Sequence, residues 1–390
     1  MTESGVEAAR FLSRNAVDVL PAGALDRQLA LGRPLRVKLG VDPTTPDIHL
    51  GHTVVLTKLR EFQDLGHTVV LIIGDYTGRV GDPSGRSSVR PQANPEEIDR
   101  NAETYEQQAF KVLDRERTEV RRNGEWLDMP MEDLFRLART STVAQLLERD
   151  DFAQRYRDRQ PISILELLYP LLQGYDSVAI RSDVELGATD QKFNVLLARA
   201  IQQAYGVPPQ SILTMPILPG IDGVQKMSKS LGNHIGVSDP PEEMYGKLMR
   251  VPDAAMPTYY ELLLEGPPDP RLAPRDAKRA LARALTARFH GEPAAQTAEQ
   301  RFDTVHLRRE LPDDLEEHAF DGDHETVHVP ALLAEAFGIS RSEGRRLLAQ
   351  EGVKLDGELV GEHQLDLPAE SLDGAVIQLG RRRFKRLRRR

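Results

Sequence analysis

The sequence of 390 residues contains no cysteine and has no long hydrophobic run. The first absence excludes disulfide bonds, thiolate metal sites and a cysteine nucleophile, and it fits a reducing cytoplasm. No apolar run approaches the roughly 18 residues of a membrane-spanning helix, and residues 68–73 predict a buried strand instead. The first residues lack the basic start and apolar stretch of a secretory signal. We therefore expect a cytoplasmic protein with no membrane partner.

Charge is unevenly distributed along this chain, and its C-terminal end is strongly basic. The formal net charge is −9, yet eight of the last ten residues are lysine or arginine. A basic terminus on an acidic body favours a nucleic-acid partner held by phosphate contacts. Aromatic residues make up only 5% of the chain, so shape and phosphate recognition should dominate over base stacking. A solvated, disordered tail is the alternative interpretation of the same run.

Extended and helical patterns alternate from residue 36 to about residue 235. This alternation is typical of an α/β fold, a parallel sheet wrapped by helices, which binds ligands at the carboxyl ends of its strands. The predicted strands are 35–41, 68–74, 177–182 and 212–216. The predicted helices include 49–65, 162–175 and 190–205.

Two short segments carry the clearest chemical signal, His-Leu-Gly-His at 49–52 and Lys-Met-Ser-Lys-Ser at 226–230. A histidine pair at a helix start and a lysine pair in a Gly-rich loop both suit a polyphosphate, because helix-start amides and mobile ammonium groups attract anions. The imidazoles can donate hydrogen bonds to phosphate oxygens as charge builds on them. Gly51 lets a nucleotide lie close to the backbone.

Other interpretations of these two segments remain. A capping histidine and a solvated lysine loop would need no ligand. A zinc site is a poorer interpretation, because His-x-x-His lacks the i,i+4 spacing of helical zinc motifs.

Several segments together resemble one enzyme family. Residues 38–52 resemble the signature of class I aminoacyl-tRNA synthetases. With 81–86, 169–176 and 187–191, they resemble the bacterial tyrosyl-tRNA synthetases, from about residue 10 to the C-terminus. Residues 339–347 resemble the helical core of the S4-like RNA-binding module with which that family ends.

The resemblance and the pattern together imply a domain layout. We expect a Rossmann-like parallel-sheet catalytic domain at 1–235, with a helical insertion at 91–160 that forms a dimer interface. An α-helical anticodon-binding domain should follow at 236–318. A linker at 319–326 would then lead to a small α+β S4-like domain with the basic tail, at 327–390.

The resemblance also implies roles for individual residues at the nucleotide. The catalytic groups would be His49, His52, Lys226 and Lys229. ATP would be bound by Thr44, His49, Gly51, His52, Asp190, Gln191, Lys226, Ser228 and Lys229. Arg86 and Arg90 would lie on a loop that assists pyrophosphate. ATP would be a substrate accompanied by Mg²⁺ that is bound mainly through phosphates and water, with no metal held by the protein.

A second group of residues would bind tyrosine. By resemblance, these are Asp42, Asp82, Tyr169, Gln173, Asp176 and Gln191. Asp176 would accept a hydrogen bond from the phenol, and phenylalanine would leave this carboxylate buried without a partner. Tyr169, Gln173 and Asp176 share one helix face by their spacing, although an aspartate that caps the helix is the alternative. In one branch of the family a tyrosine contacts the phenol at the position of Lys38, so the resemblance assigns Lys38 no role.

The expected activity is therefore that of a tyrosine–tRNA ligase, working as a homodimer on L-tyrosine, ATP and tRNA(Tyr). Arg341, Arg345 and Arg346 would contact RNA phosphates from one short helix. Three alternatives remain open: a tryptophan-specific ligase of the same fold, an RNA-binding protein without catalysis, and a small-substrate nucleotidyltransferase.

Overall fold

A computed structural model describes most of the chain. The described residues are 3–43, 47–83, 94–264, 266–267, 269–304, 315–322, 325–380 and 383–390. They divide into two units, Met1–Gln296 and Thr297–Arg390. The first unit thus includes residues 236–296, the larger part of the predicted helical domain.

A six-stranded sheet organises the first unit. Its strands are β1 (Asp18–Leu20), β2 (Arg36–Val41), β3 (Thr68–Ile73), β4 (Thr118–Arg122), β5 (Val184–Ala188) and β6 (Ser211–Met215). They lie in the order β1-β6-β5-β2-β3-β4. Neighbours from β6 to β4 are parallel, and only β1 runs antiparallel to its neighbour. The predicted α/β class with a parallel sheet is confirmed.

Helices connect and cover these strands. They are α1 (Glu3–Leu12), α2 (Ala24–Leu29), α3 (Leu50–Asp64), α4 (Thr77–Val80), α5 (Pro95–Ala109), α6 (Gly124–Leu127), α7 (Met131–Ala138), α8 (Val143–Leu146), α9 (Asp150–Arg157), α10 (Ile164–Ala179), α11 (Lys192–Ala204), α12 (Pro241–Leu248), α13 (Met256–Leu263), α14 (Pro274–His290) and α15 (Glu292–Asp303). Short 3₁₀ turns lie at Arg115–Arg117, Thr189–Gln191 and Asp253–Ala255. The predicted helices at 49–65, 162–175 and 190–205 correspond to α3, α10 and α11.

The strand order reverses between β2 and β5, in the middle of the sheet. From β2 the chain adds β3 and β4 on one side, and from β5 it adds β6 on the other. A crevice opens at such a switch point, outside the carboxyl ends of the strands. The fold therefore places the ligand site next to the ends of β2 and β5.

Three strands differ from the sequence-based prediction. The strand predicted at 177–182 is wrong, because α10 continues through Ala179 and the strand begins only at Val184. β4 lies inside the predicted helical insertion, where its Thr-Glu-Val-Arg-Arg sequence has no apolar run. β1 is a three-residue edge strand that the sequence analysis also did not predict. Short or charged edge strands carry little hydrophobic signal.

The second unit combines a sheet with two longer helices. Its strands are β7 (Glu317–Phe320), β8 (Thr326–His328), β9 (Val353–Leu355), β10 (Glu358–Leu359), β11 (Asp366–Pro368), β12 (Val376–Leu379) and β13 (Arg383–Arg389), and its helices are α16 (Val329–Phe337), α17 (Arg341–Ala349) and α18 (Ala369–Leu372). Five strands form a sheet in the order β10-β9-β12-β13-β7, and β11 pairs with β8.

The basic C-terminal run forms an interior strand of this sheet. β13 lies between β12 and β7, antiparallel to the first and parallel to the second. Leu387 is buried in the core of the unit together with Phe320. A disordered tail is therefore wrong for residues 383–389. The irregular linker expected at 319–326 is also wrong at its start, since β7 extends to Phe320.

Among the described residues, we find no helix with the length and apolar character needed to span a bilayer.

The position of Leu387 gives a testable consequence for stability. Leu387→Ala should lower the free energy of opening of the second unit by about 2–4 kcal/mol, because it leaves a cavity in that core. Native-state amide hydrogen exchange at α16 and β12 of the full chain measures this quantity. The control Arg388→Ala removes a largely exposed ion pair with Glu317 and should change it by less than about 1 kcal/mol. Equal effects of the two substitutions would contradict a buried strand.

Candidate active site

A cavity of about 370 Å³ lies at the carboxyl ends of β2 and β5. The sequence-predicted residues that line it are Asp42, His49, Gly51, His52, Asp82, Tyr169, Gln173, Asp176, Asp190, Gln191 and Lys226. Ser228 and Lys229 are not among its lining residues. Thr44, Arg86 and Arg90 lie outside the described residues. The structure thus brings together the predicted nucleotide and tyrosine groups, with the loop beyond Met227 outside the cavity.

The first turn of α3 is closed by its two histidines. His49 is the N-cap, and its Nδ1 accepts a hydrogen bond from the Gly51 N–H at 3.2 Å. His52 Nδ1 accepts from the His49 N–H at 3.2 Å, and the two rings stack with centroids 3.8 Å apart. Because each Nδ1 is an acceptor, each neutral ring carries its proton on Nε2. Each ring can then donate one hydrogen bond to a ligand.

Burial keeps both imidazoles uncharged at neutral pH. It lowers the pKa of His49 to about 2, helped by the positive potential of His52, His234 and Lys226. It lowers the pKa of His52 to about 4, again with a contribution from Lys226. The histidines therefore act as hydrogen-bond donors, and the positive charge in the cavity comes from lysine.

Backbone contacts join the histidine turn to the lysine loop. Leu50 N–H donates to Ile235 O at 2.9 Å, and Val237 N–H donates to Ile48 O at 2.9 Å. The buried Met227 packs beside Gly51, where a side chain would also press on the His49 ring. Glycine thus relieves crowding within the protein at this turn. Close approach of a nucleotide to Gly51 stays a prediction.

Each lysine of the loop is paired with an aspartate. Lys226 bonds to Asp190, and Lys229 bonds to Asp47. Both lysines remain substantially exposed. A triphosphate, with its higher charge, can compete for these ammonium groups, as phosphate binding by lysine requires.

A buried carboxylate forms the floor of the cavity. Asp176 Oδ1 accepts a hydrogen bond from Trp126 Nε1 at 2.8 Å, and Oδ2 accepts from Asn123 Nδ2 at 3.4 Å. Burial raises the pKa of Asp176 to about 6, against the opposing effect of the Lys38 ammonium. Asp176 is therefore ionised at pH 7 and able to accept a further hydrogen bond. It is not a surface cap, which was the alternative interpretation.

A second aspartate is held rigidly at the end of β2. Tyr169 Oη donates to Asp42 Oδ2 at 2.9 Å, and Thr77 Oγ1 donates to Oδ1 at 2.7 Å. Burial, together with Asp42 and Asp82, raises the pKa of Tyr169 well above its usual value, so its hydroxyl keeps its proton. Gly74 has no room for a Cβ beside the Asp42 carboxylate.

Amide side chains form a polar wall on the opposite side of Tyr169. Gln191 Nε2 donates to Asp82 Oδ2 at 2.9 Å. Asn194 Nδ2 donates to Gln173 Oε1 at 2.9 Å and to Gln191 Oε1 at 3.1 Å. This arrangement offers a carboxylate and amide oxygens to a cation, and amide N–H groups to an anion.

Several site residues were not found from the sequence. Asn123 and Trp126 follow β4, so recognition of that strand would have placed them at the functional edge of the sheet. Asn194 lies one turn after Gln191 on α11, and its helical spacing was the available signal. Tyr105, on α5, packs its ring edge against His52 at a centroid distance of 5.8 Å. No sequence pattern pointed to Tyr105.

No group of three or more His, Cys, Asp or Glu side chains suited to a metal ion occurs within the described ranges.

The chain matches a known family over most of its length. Residues 30–306 match the family model described as tRNA synthetases class I (W and Y). A relative from Moorella thermoacetica named tyrosine–tRNA ligase is 51% identical, covering 97% of this chain and 95% of that protein. One of the same name from Thermotoga maritima is 49% identical, covering 98% and 97%.

Solved structures share the fold. A C-terminally truncated mitochondrial tyrosyl-tRNA synthetase from Aspergillus nidulans gives a TM-score of 0.63 at 21% identity, covering 78% of this chain and 94% of that one. A tyrosyl-tRNA synthetase from Archaeoglobus fulgidus, complexed with L-tyrosine, gives 0.63 at 24% identity, covering 76% and 99%. With the family match and two relatives near half identity, the chain belongs to the class I tRNA synthetases of the tryptophan and tyrosine type.

Proposed function

We propose that the chain is a tyrosine–tRNA ligase, which activates L-tyrosine with ATP and transfers the tyrosyl group to the 3′ end of tRNA(Tyr). One observation carries this conclusion: the imidazole donors, Lys226 and the buried Asp176 line the same cavity. A phosphate-binding end and a hydroxyl-binding end, joined in one space, suit a reaction between tyrosine and ATP. The relatives near 50% identity bear the same name.

The first reaction would join the two substrates. A tyrosine carboxylate oxygen attacks the α-phosphorus of ATP, and the bond from that phosphorus to the bridging oxygen of pyrophosphate breaks. His49 and His52 would donate from Nε2 to phosphate oxygens as negative charge grows. Lys226 would leave Asp190 to accompany the departing pyrophosphate, with Lys229 following from Asp47. One aimed donor of this kind is typically worth about 10²–10³ in rate.

The other end of the cavity would select the amino acid. Asp176 would accept a hydrogen bond from the phenol. Each of its oxygens already accepts one hydrogen bond in the structure and can accept another. The ammonium group would lie among Tyr169, Gln173 and Asp82, and Gln191 would meet the carboxylate. In the second reaction a ribose hydroxyl of the tRNA attacks the tyrosyl carbonyl, and AMP leaves. Thr44, Arg86 and Arg90 keep their predicted roles at the phosphates.

Mg²⁺ would enter as part of the ATP substrate, bound through phosphates and water. The cytoplasmic location expected from the composition also stays a prediction.

A homodimer is proposed from the predicted insertion. Exposed large apolar side chains of the insertion include Met131, Phe135 and Val143, and Ile164 and Leu165 follow it at the start of α10. Ile164 is 78% exposed at the start of α10, and Phe135 is 56% exposed on α7, which packs against α10. Clustered apolar exposure of this kind indicates an interface. A second copy of the chain fits best, since one patch can cover itself across a two-fold axis.

RNA binding is proposed for the S4-like second unit, with α17 as its main surface. Arg341 and Arg345 are exposed one turn apart, and Arg346 makes a long contact of 3.3 Å to Glu343. The cations of β13 have other partners: Arg388 pairs with Glu317, Lys385 with Glu316, Arg383 with Phe337 O, and Arg389 with Gly322 O. The arginines of α17 would therefore make the main contacts to RNA phosphates.

Amino-acid-dependent pyrophosphate exchange tests the proposed activity. We expect exchange with tyrosine among the twenty amino acids, and exchange with tryptophan alone would overturn the assignment. Lys226→Met should lower the exchange rate constant by about 10²-fold while tyrosine binding, measured by equilibrium dialysis, persists. The control Lys278→Met, at an ion pair on α14, should leave exchange unchanged. If Lys226→Met and Lys229→Ala both kept full exchange, the lysine loop would have no catalytic part.

The apolar patch predicts a change of oligomeric state. Phe135→Asp should shift the chain from dimer to monomer at micromolar concentration, because a buried carboxylate without a partner is costly. Sedimentation equilibrium measures the shift. Leu31→Asp, at a comparably exposed leucine outside the patch, is the matched control and should stay dimeric. A Phe135→Asp variant that stays dimeric would rule this patch out.

The α17 arginines predict a salt-dependent effect on RNA binding. Replacing Arg341 and Arg345 by Gln should weaken tRNA binding and reduce the salt slope of the affinity by about 1 for each cation removed. Exchange without tRNA should not change. Arg388→Gln, at a cation already paired with Glu317, should have a smaller effect. The reverse ranking would place the RNA surface on β13.

A further inference from the structure

A buried ion pair lies next to Asp176, and one of its members, Glu185, also lines the cavity. Lys38 Nζ is 2.9 Å from Glu185 Oε1, and the two side chains are 0% and 1% exposed. Lys38, on β2, also donates to Ser177 Oγ at 2.8 Å and to Gln173 O at 3.0 Å. Residues 173 and 177 flank Asp176 on α10, and the ammonium is near enough to the Asp176 carboxylate to oppose the rise of its pKa.

Glu185 has three polar partners. Besides Lys38, its carboxylate accepts hydrogen bonds from Ser177 Oγ at 3.1 Å and from Gln210 Nε2. Asp176, in contrast, accepts hydrogen bonds from two neutral donors among the described residues, Trp126 and Asn123. Two buried carboxylates and one ammonium leave one net negative charge at the floor.

Removal of either member of the pair would change this balance. Without Lys38, two like charges would share a dry site, and one carboxylate would take up a proton. Without Glu185, Lys38 would be free to neutralise Asp176. Within the described part of the chain, Tyr169 on the same helix is the further titratable group that interacts with Asp176, and its phenol keeps its proton.

We propose that Lys38 is a positioning residue that sets selectivity for a hydroxyl-bearing ring: by neutralising Glu185, it leaves Asp176 as the one uncompensated carboxylate at the floor. A phenol meets that charge with a further hydrogen bond, whereas a phenyl ring leaves the remaining acceptor capacity of the buried carboxylate unused, a larger loss than with a neutral acid. This inference rests on the proposed activation of tyrosine and deepens it.

The chain contains its own reporter for the charge on Asp176. It has a single tryptophan, and Trp126 donates its indole N–H to Asp176. Trp126 fluorescence should therefore titrate with the carboxylate, with a midpoint near the Asp176 pKa of about 6 in the unchanged protein. This measurement needs no activity. A flat titration in Asp176→Asn would assign the signal.

The selectivity readout is the ratio of kcat/KM for tyrosine to that for phenylalanine in pyrophosphate exchange. Ionisations of ATP and of the amino-acid backbone groups cancel in this ratio. Because the carboxylate is charged above its pKa, the ratio should rise with pH through about 6. It should stay high above that range.

Three variants test the proposal. Lys38→Met should raise both midpoints by about 1–3 pH units, and a rise of about 2 units lowers the ratio at pH 7 about tenfold. Glu185→Gln should lower the fluorescence midpoint, since Lys38 then faces Asp176. The double variant Lys38→Met/Glu185→Gln restores the charge balance, so its midpoint should return to within about half a unit of the original.

A matched control removes another buried pair. Arg155 Nη1 on α9 bonds to Glu166 Oε1 at the start of α10 at 2.7 Å, and the side chains are 3% and 5% exposed. Arg155→Met/Glu166→Gln perturbs the helix without touching the floor, so both midpoints should stay in place. A shift equal to that of Lys38→Met would show general loosening and overturn the proposal.

The outcomes separate this inference from the proposed function. Absence of tyrosine-dependent exchange at every pH would refute the function, while opposite fluorescence shifts in the two single variants would still support the charge balance. Exchange with an unchanged midpoint and ratio in Lys38→Met would refute the inference alone. If Lys38→Met fails to fold, the other two variants test the inference. An unchanged fluorescence midpoint in Glu185→Gln would overturn the inference, and so would a shifted midpoint in the double variant.

Discussion

Two backbone hydrogen bonds hold the active site together. They join Leu50 to Ile235 and Val237 to Ile48, and so fasten the start of α3 to the far end of the lysine loop. The helix start supplies neutral imidazole donors, and the loop supplies mobile ammonium groups. Neither set would define a phosphate site by itself, because capping histidines and surface lysines are common. Their attachment makes one nucleotide-binding edge from distant parts of the chain.

The rest of the cavity follows from the cost of buried charge. Carboxylates of the cavity that are shielded from water each need hydrogen bonds or an opposite charge. Asp42 is satisfied by Tyr169 and Thr77, and Glu185 by Lys38. Asp176 retains capacity for one more donor. The same rule that stabilises the site therefore creates its preference for a hydroxyl group.

Regular hydrophobic patterns made part of this architecture predictable. β3 is a continuous apolar strand buried on both faces, and α3 and α10 have clear helical periodicity, so all three were located correctly. β4 was missed because its charged side chains pair with neighbours, as Glu119 does with Arg36. The end of α10 was predicted wrongly, because the sequence around the buried Ser177 is compatible with a strand as well as with a helix.

The amino-acid sequence alone determined which reactive side chains the protein has: the histidine and lysine motifs, the helix face that bears Asp176, and the absence of thiols. These features depend on local spacing, which the sequence displays directly. Tertiary structure decided which groups act together. It paired Lys38 with Glu185, brought Trp126 to Asp176, and turned the basic C-terminal run into an interior strand. Such contacts join residues far apart in the chain. They contribute free energy only when folding buries both partners side by side.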